Sequence, residues 1–150
     1  MQRLLALVTA MALAGPVLAQ EPVKVVPADA VTWKAHPVFP GAQIATLVGD
    51  PTKGETIVQR FKFPANFKVA PHTHTYTEVA TVLSGTLQLG LGEKFDTSKG
   101  QALKPGSVFA LKAGDPHYIW TTGEEVVVQI VFTGPSGMVF SNPADDPRKK

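Results

Sequence analysis

His72, His74 and Glu78 fall in one short run, His-Thr-His-Thr-Tyr-Thr-Glu, and His117 lies 39 residues beyond Glu78. Imidazole nitrogens and a carboxylate suit divalent first-row transition metals, which need several such donors converging on one point. The chain has four histidines, and three of them belong to this set. A lone surface histidine carries no such message, but His-x-His followed at fixed spacing by Glu does. On an extended strand, residues i and i+2 face the same side, so His72 and His74 project together. Thr75-Tyr76-Thr77 then forms a bend, and Glu78 opens the next strand. Alternation puts Glu78, Ala80 and Val82 on one face of that strand and Val79, Thr81 and Leu83 on the other. His117 follows the tight turn Ala113-Gly114-Asp115-Pro116, in which Pro116 fixes its own φ and steers Asp115 away from the helical region.

The elements that must hold these residues are short apolar runs split by turn residues. Strands are predicted at Ile44–Val48, Thr56–Phe63, Phe67–Ala70 (ended by Pro71), Glu78–Leu83, Thr86–Leu91, Ser107–Leu111, His117–Trp120, Glu125–Phe132 and Met138–Phe140. Ser84-Gly85 joins two of them as a hairpin. Short strands with Gly/Pro turns at this spacing indicate an all-β sandwich or barrel. No stretch shows a 3.6-residue apolar stripe, and Phe95–Gly100 is a single helical turn at most. Residues 20–43, with Pro22, Pro27, Pro37 and Pro40, read as an extended lead-in with an edge strand around Val23–Val26, packed onto the body by Trp33 and Phe39. Residues 141–150, with two prolines, two acids and three bases, read as a flexible solvated tail.

Composition bounds the function further. Arg3, the apolar run Leu4–Leu18 and the small-x-small triplet ending at Ala19 have the form of a secretory signal peptide covering residues 1–19. The run is short for a bilayer span, and no twin-Arg pair is present, which favours Sec-type export to the periplasm or medium. The remaining 131 of 150 residues are the size of one domain. Without Arg3 they carry 13 basic against 12 acidic residues, a balance that argues for neither nucleic acid nor a membrane surface as partner. There is no cysteine, which excludes thiolate-ligated metals, a thiol nucleophile and disulfides. The core, a bound metal and association into a homodimer are left as sources of stability.

Taken together, these motifs resemble the cupin superfamily. Its first motif has the form G-x5-H-x-H-x3,4-E-x6-G, matched here from His72 through His74 and Glu78 to Gly85. Its second, G-x5-P-x-G-x2-H-x3-N, is matched in spacing by Gly106, Lys112, Gly114 and His117. Asn66 stands for the opening Gly, Lys112 for Pro and Thr121 for Asn; Asn tolerates the left-handed conformation, and none of the three removes a ligand. The resemblance covers about Ile44 to Phe132. It implies a cupin-type double-stranded β-helix, or jelly-roll barrel, over residues 44–140, of the kind found in exported single-domain bacterial cupins. It also implies one divalent transition metal (Mn, Fe, Co, Ni, Cu or Zn) held by His72, His74, Glu78 and His117, with one or two open positions. In that family such sites go with oxygenases, oxidases and decarboxylases acting on small oxygen-rich molecules. A non-catalytic binder or sensor of a metal or small ligand remains open beside that, as does a structural barrel with a vestigial site.

Among the other residues, Tyr76 lies between ligands, where it can serve as acid or substrate contact or simply pack. Gln88 and Gln129 are polar positions inside apolar strands, either hydrogen-bond partners of ligands or solvent-facing. Phe61, Phe63, Ile119, Trp120 and Phe132 are assigned to core and pocket wall, and His36, far from both motifs, to the surface. No Gly-rich phosphate loop or G-x-S-x-G nucleophile setting is present, and the dispersed lysines do not make a nucleic-acid platform.

Overall fold

The computed structural model describes residues 23–149, so the expected signal peptide lies outside the described residues. Strands run in chain order as β1 (Lys34–Ala35), β2 (Gln43–Val48), β3 (Thr56–Phe63), β4 (Lys68–His74), β5 (Glu78–Ser84), β6 (Leu87–Leu91), β7 (Gln101–Leu103), β8 (Val108–Leu111), β9 (His117–Trp120), β10 (Val126–Thr133) and β11 (Met138–Phe140). They form two antiparallel sheets, β1-β2-β3-β10-β5-β8 and β11-β4-β9-β6-β7. This is the expected jelly-roll sandwich, with short 3-10 turns as its only helical content among the described residues.

Alternation builds the core between the sheets. In β10, Val126, Val128, Ile130 and Phe132 are buried, while Val127, Gln129 and Val131 face outward and are half-buried. In β5, Glu78, Ala80 and Val82 point inward and Val79 and Leu83 outward, as strand parity requires. Side chains such as Ile57, Val82 and Val126 are fully buried, each contributing about 1.5–3 kcal/mol from desolvation.

Five regions differ from what the sequence suggests. Ser84-Gly85 makes no hairpin but carries the chain from one sheet to the other: β5 pairs with β10 and β8, and β6 pairs with β7 and β9. Val23–Val26 is not a strand; the edge position is taken by β1, which pairs Lys34 with Ile44 and Ala35 with Gln43. Val23 and Val25 have no neighbouring strand and remain exposed. The three-residue β7, too short to show alternation, pairs with β6 and closes that sheet edge. Trp120 lies on the outer face of β9, opposite to Ile119, stacked on Tyr118 and capped by Phe95. The chain passes so close there that any Cβ on Gly100 would overlap the Trp120 ring. Finally, Asn142–Lys149 docks. Asn142 caps a turn at Pro143–Asp145, and Asp146 is buried against Arg148, whose Nε and Nη2 donate to its two carboxylate oxygens at 2.7 and 2.8 Å. The guanidinium fork, itself largely exposed, meets the carboxylate with two charge-assisted hydrogen bonds and so offsets the covering of Asp146.

Candidate metal centre

The strand holding the His pair does not stop at Pro71. It continues through it with a β-bulge: Val69 pairs with Ile119 and His72 with His117, leaving two residues of β4 opposite one of β9. Pro71 sits within that bulge, where its missing N–H is no loss to the ladder. The bulge decides the site. Val69 faces inward, so an unbroken alternation would send His72 and His74 outward; the extra residue reverses the parity and turns both inward. Asn66, before β4, adopts φ 58°, the left-handed geometry for which the family pattern has glycine. Thr121, in the place of the family's Asn, donates its hydroxyl to the Pro64 carbonyl at 2.6 Å and accepts the Phe67 N–H at 2.9 Å, tying β9 to the start of β4.

His72 and His117 are cross-strand partners with ring centroids 4.2 Å apart. One nitrogen from each of His72, His74 and His117 falls within 4.8 Å of the others. Neighbouring donors about 2.1 Å from a common tetrahedral or octahedral ion lie about 3–3.4 Å apart, so the rings need to draw in by up to about 1–2 Å to share a metal. Glu78 comes from the opposite sheet. Its Oε2 lies 3.1 Å from His74 Nε2, close to the spacing of neighbouring ligands on one ion.

The far side of each ring is committed. Nδ1 of His72 lies 2.8 Å from the Ala70 carbonyl, that of His74 3.1 Å from Gly137 and that of His117 3.2 Å from Asp115. A carbonyl only accepts, so each Nδ1 carries the proton and each Nε2 turns a lone pair into the cavity. This is the tautomer a metal requires, set before any ion arrives, and the donor set therefore fits a divalent transition metal.

Burial sets the charge state. His72, His74 and His117 are all pulled below the ordinary histidine value by desolvation, His74 to about 4, with repulsion from His117 reinforcing the shift at His72 and His74. Desolvation pushes Glu78 up to about 7. Around neutrality the pocket thus holds three neutral imidazoles and a carboxyl close to its own midpoint, a set that gains from an added dication.

The cluster opens into an inner chamber of about 40 Å³, walled by Phe61, Phe63, Phe109, Ile119 and other apolar side chains. Tyr76 stacks on His74 at 4.9 Å and on Phe132 at 4.0 Å, so its ring packs beside the cluster. Its hydroxyl is held above the ordinary tyrosine range, first by desolvation and then by Glu78. Gln88 and Gln129 do not join the site. Both sit on outward parities, and Gln129 accepts from Arg60 Nε at 3.1 Å across β3 and β10.

Two residues that do reach the site were not marked out by spacing. Gln59 is buried on the inward parity of β3 with Ile57, Phe61 and Phe63, and that polar residue on an apolar face was its only sequence signal. His36, expected at the surface, is half-buried against Phe39 and Phe61 and shares a chamber with His74 and Tyr76. Its segment folds back over the mouth of the barrel, which no local pattern announces.

Residues 59–133 match the family model described as the cupin domain, a stretch that includes all four candidate ligands. A germin-like protein, subfamily 2 member 1, of Arabidopsis thaliana is 35% identical over 85 residues, 56% of this chain. The aligned stretch spans only 38% of that relative's length. Among solved structures, the polyketide cyclase RemF from Streptomyces resistomycificus superposes with a TM-score of 0.71 at 20% identity, covering 85% of this chain and 92% of that one. An oxalate oxidase superposes with a TM-score of 0.54 at 23% identity, covering 71% and 57%. At such identities the structural likenesses speak for the fold alone.

Proposed function

We propose that this chain, which belongs to the cupin superfamily, holds one divalent transition metal on His72, His74, Glu78 and His117 and acts on a small, oxygen-rich organic molecule. The observation that carries the reading is the set of three Nδ1–carbonyl contacts, which leave Nε2 as the free donor on each of three clustered rings, with Glu78 beside that of His74. Core histidines kept only for packing have no reason to share that arrangement. Bound there, the metal supplies Lewis acidity and open coordination positions for a pair of substrate oxygens.

The protein's own part follows from the pocket. Apolar walls keep bulk water from the substrate and strengthen each polar contact inside. Tyr76, a phenol kept neutral by burial, lines the adjoining space beside His74 and is the donor we assign to a substrate oxygen. Glu78 gives up its proton on ligation and balances one of the two metal charges. A non-catalytic binder is the second reading. It is favoured by the inner chamber, whose lining residues include no charged or titratable side chain beyond the ligand cluster.

The leader-like residues 1–19 support export and metal loading outside the cytoplasm, where the Irving–Williams order favours Cu or Zn. Elemental analysis of protein recovered from the periplasm tests this, and mostly Fe or Mn would defeat the loading argument. The ligand set is tested by His74→Ala, which is expected to abolish stoichiometric metal; full occupancy in that variant would overturn the assignment. Oxygen uptake and product analysis with dicarbonyl and catechol compounds then separate enzyme from binder.

A further inference from the structure

Beyond the inner chamber lies a wider outer one of about 570 Å³, and His36 stands in its wall. Nδ1 of His36 accepts the N–H groups of Val38 at 3.0 Å and Phe39 at 3.1 Å. A ring nitrogen accepting two hydrogen bonds carries no proton, so the neutral ring keeps its proton on Nε2. Desolvation lowers the pKa of His36 to about 4, which keeps the ring neutral. No protein group accepts the Nε2–H among the described residues. No buried side-chain polar atom there lacks a partner either, so Nε2 is accessible from the chamber.

The chamber's other polar groups are also uncharged or already engaged. Gln59 donates to Thr46 Oγ1 at 3.0 Å and, by the same reasoning, leaves its amide oxygen accessible. Arg148, the one charged side chain in the lining, is tied to Asp146 through both Nε and Nη2. Phe39, Phe61, Ile44 and Met138 make the walls, and Phe39, Phe61, His74 and Met138 also line the inner chamber, so the two spaces adjoin.

We propose that the outer chamber binds the body of the substrate, an uncharged, flat, largely apolar group bearing an acceptor oxygen that takes a hydrogen bond from His36 Nε2–H. The substrate's oxygen pair then faces the His72, His74, Glu78 and His117 cluster. This rests on the metal-site reading. It selects an aromatic or similarly planar molecule with a distal carbonyl over a small diacid, which would leave the outer chamber unfilled and would meet there only Arg148, whose charge is already paired with Asp146.

The test uses zinc-loaded protein, which cannot oxidise the probes, and two catechols with the same chelating oxygens. 4-Acetylcatechol carries a distal carbonyl; 4-ethylcatechol does not. Dissociation constants come from calorimetry, and zinc stoichiometry is measured on every sample. His36→Asp keeps an acceptor for the Val38 and Phe39 N–H groups but deletes the donor, while His36→Asn keeps both. Wild-type protein is expected to prefer 4-acetylcatechol, and His36→Asp to lower that preference about 3- to 10-fold, the weight of one neutral hydrogen bond. His36→Asn restores most of it. Comparing ratios cancels the different acidities of the two catechols. An unchanged ratio in zinc-replete His36→Asp, or no binding of either catechol to zinc-loaded wild type, overturns this proposal and leaves the metal reading standing. Failure of wild type to take up zinc sinks both.

Discussion

Replacing Glu78 by Gln has opposite consequences for the metal-free and metal-loaded protein, and the sizes follow from burial. The Glu78 carboxyl is 3% exposed, and desolvation raises its pKa from 4.5 to about 7. The folded state therefore holds the proton more tightly than the unfolded chain. The stabilising contribution of the protonated group is complete below pH 4.5 and is lost as pH rises to about 7. The separation between 4.5 and about 7, at about 1.4 kcal/mol per pH unit, makes the loss about 3 kcal/mol above neutrality. Gln has the same shape, never ionises and can still donate to His74 Nε2, so it avoids that loss. Chelator-treated Glu78→Gln is thus expected to be about 3 kcal/mol more stable than chelator-treated wild type at pH 8, with most of the difference gone at pH 5. His74, with its pKa near 4, stays neutral at both pH values and does not confuse the comparison. With zinc present the order reverses, because the variant has lost an anionic ligand. Urea denaturation at the two pH values, with and without zinc, measures all four quantities. A metal-free variant no more stable than wild type at pH 8 would show that Glu78 is not held as a desolvated acid, and the electrostatic argument would fall.

Metal affinity is expected to fall about tenfold per pH unit below pH 7, because Glu78 must shed a proton to bind, and to steepen near pH 4 as His74 protonates. Competition against a chromophoric chelator reads this directly, and an affinity flat between pH 5.5 and 7 excludes Glu78 as a ligand. A Cβ at Gly90 would overlap the fully buried Tyr118 ring, whose hydroxyl donates to the Asp96 carbonyl at 2.9 Å, so Gly90→Ala should cost about 3 kcal/mol. Gly92→Ala, with φ +103° but open space around the position, should cost only about 1 kcal/mol. Equal denaturation midpoints for the two variants would contradict this account of the outer aromatic cluster.

Strand parity alone placed Glu78, Ala80 and Val82 on one face, and eight of the nine runs it marked became strands with ends shifted by no more than two residues. Those features are local: a period of two and a turn residue are complete within a few positions of chain. The ninth run, Phe67–Ala70, shows where local reading fails. Pro71 looks like a stop when read alone, yet in the sheet it occupies a bulge that exists only because β9 lies alongside, and that bulge turns His72 and His74 inward. The convergence of Glu78 with the three imidazoles likewise needs two sheets face to face. His36 and Gln59 were invisible as site residues for the same reason, since the chamber they share with His74 gathers segments from Pro51 and Thr52 to Met138 and Arg148 that are far apart in sequence. The sequence by itself determined the donor types, their spacing and the strands that carry them. Only the tertiary structure decided which faces meet, which ring nitrogens are committed to the backbone and what shape of space lies in front of the cluster, because those depend on contacts between segments that are strangers along the chain.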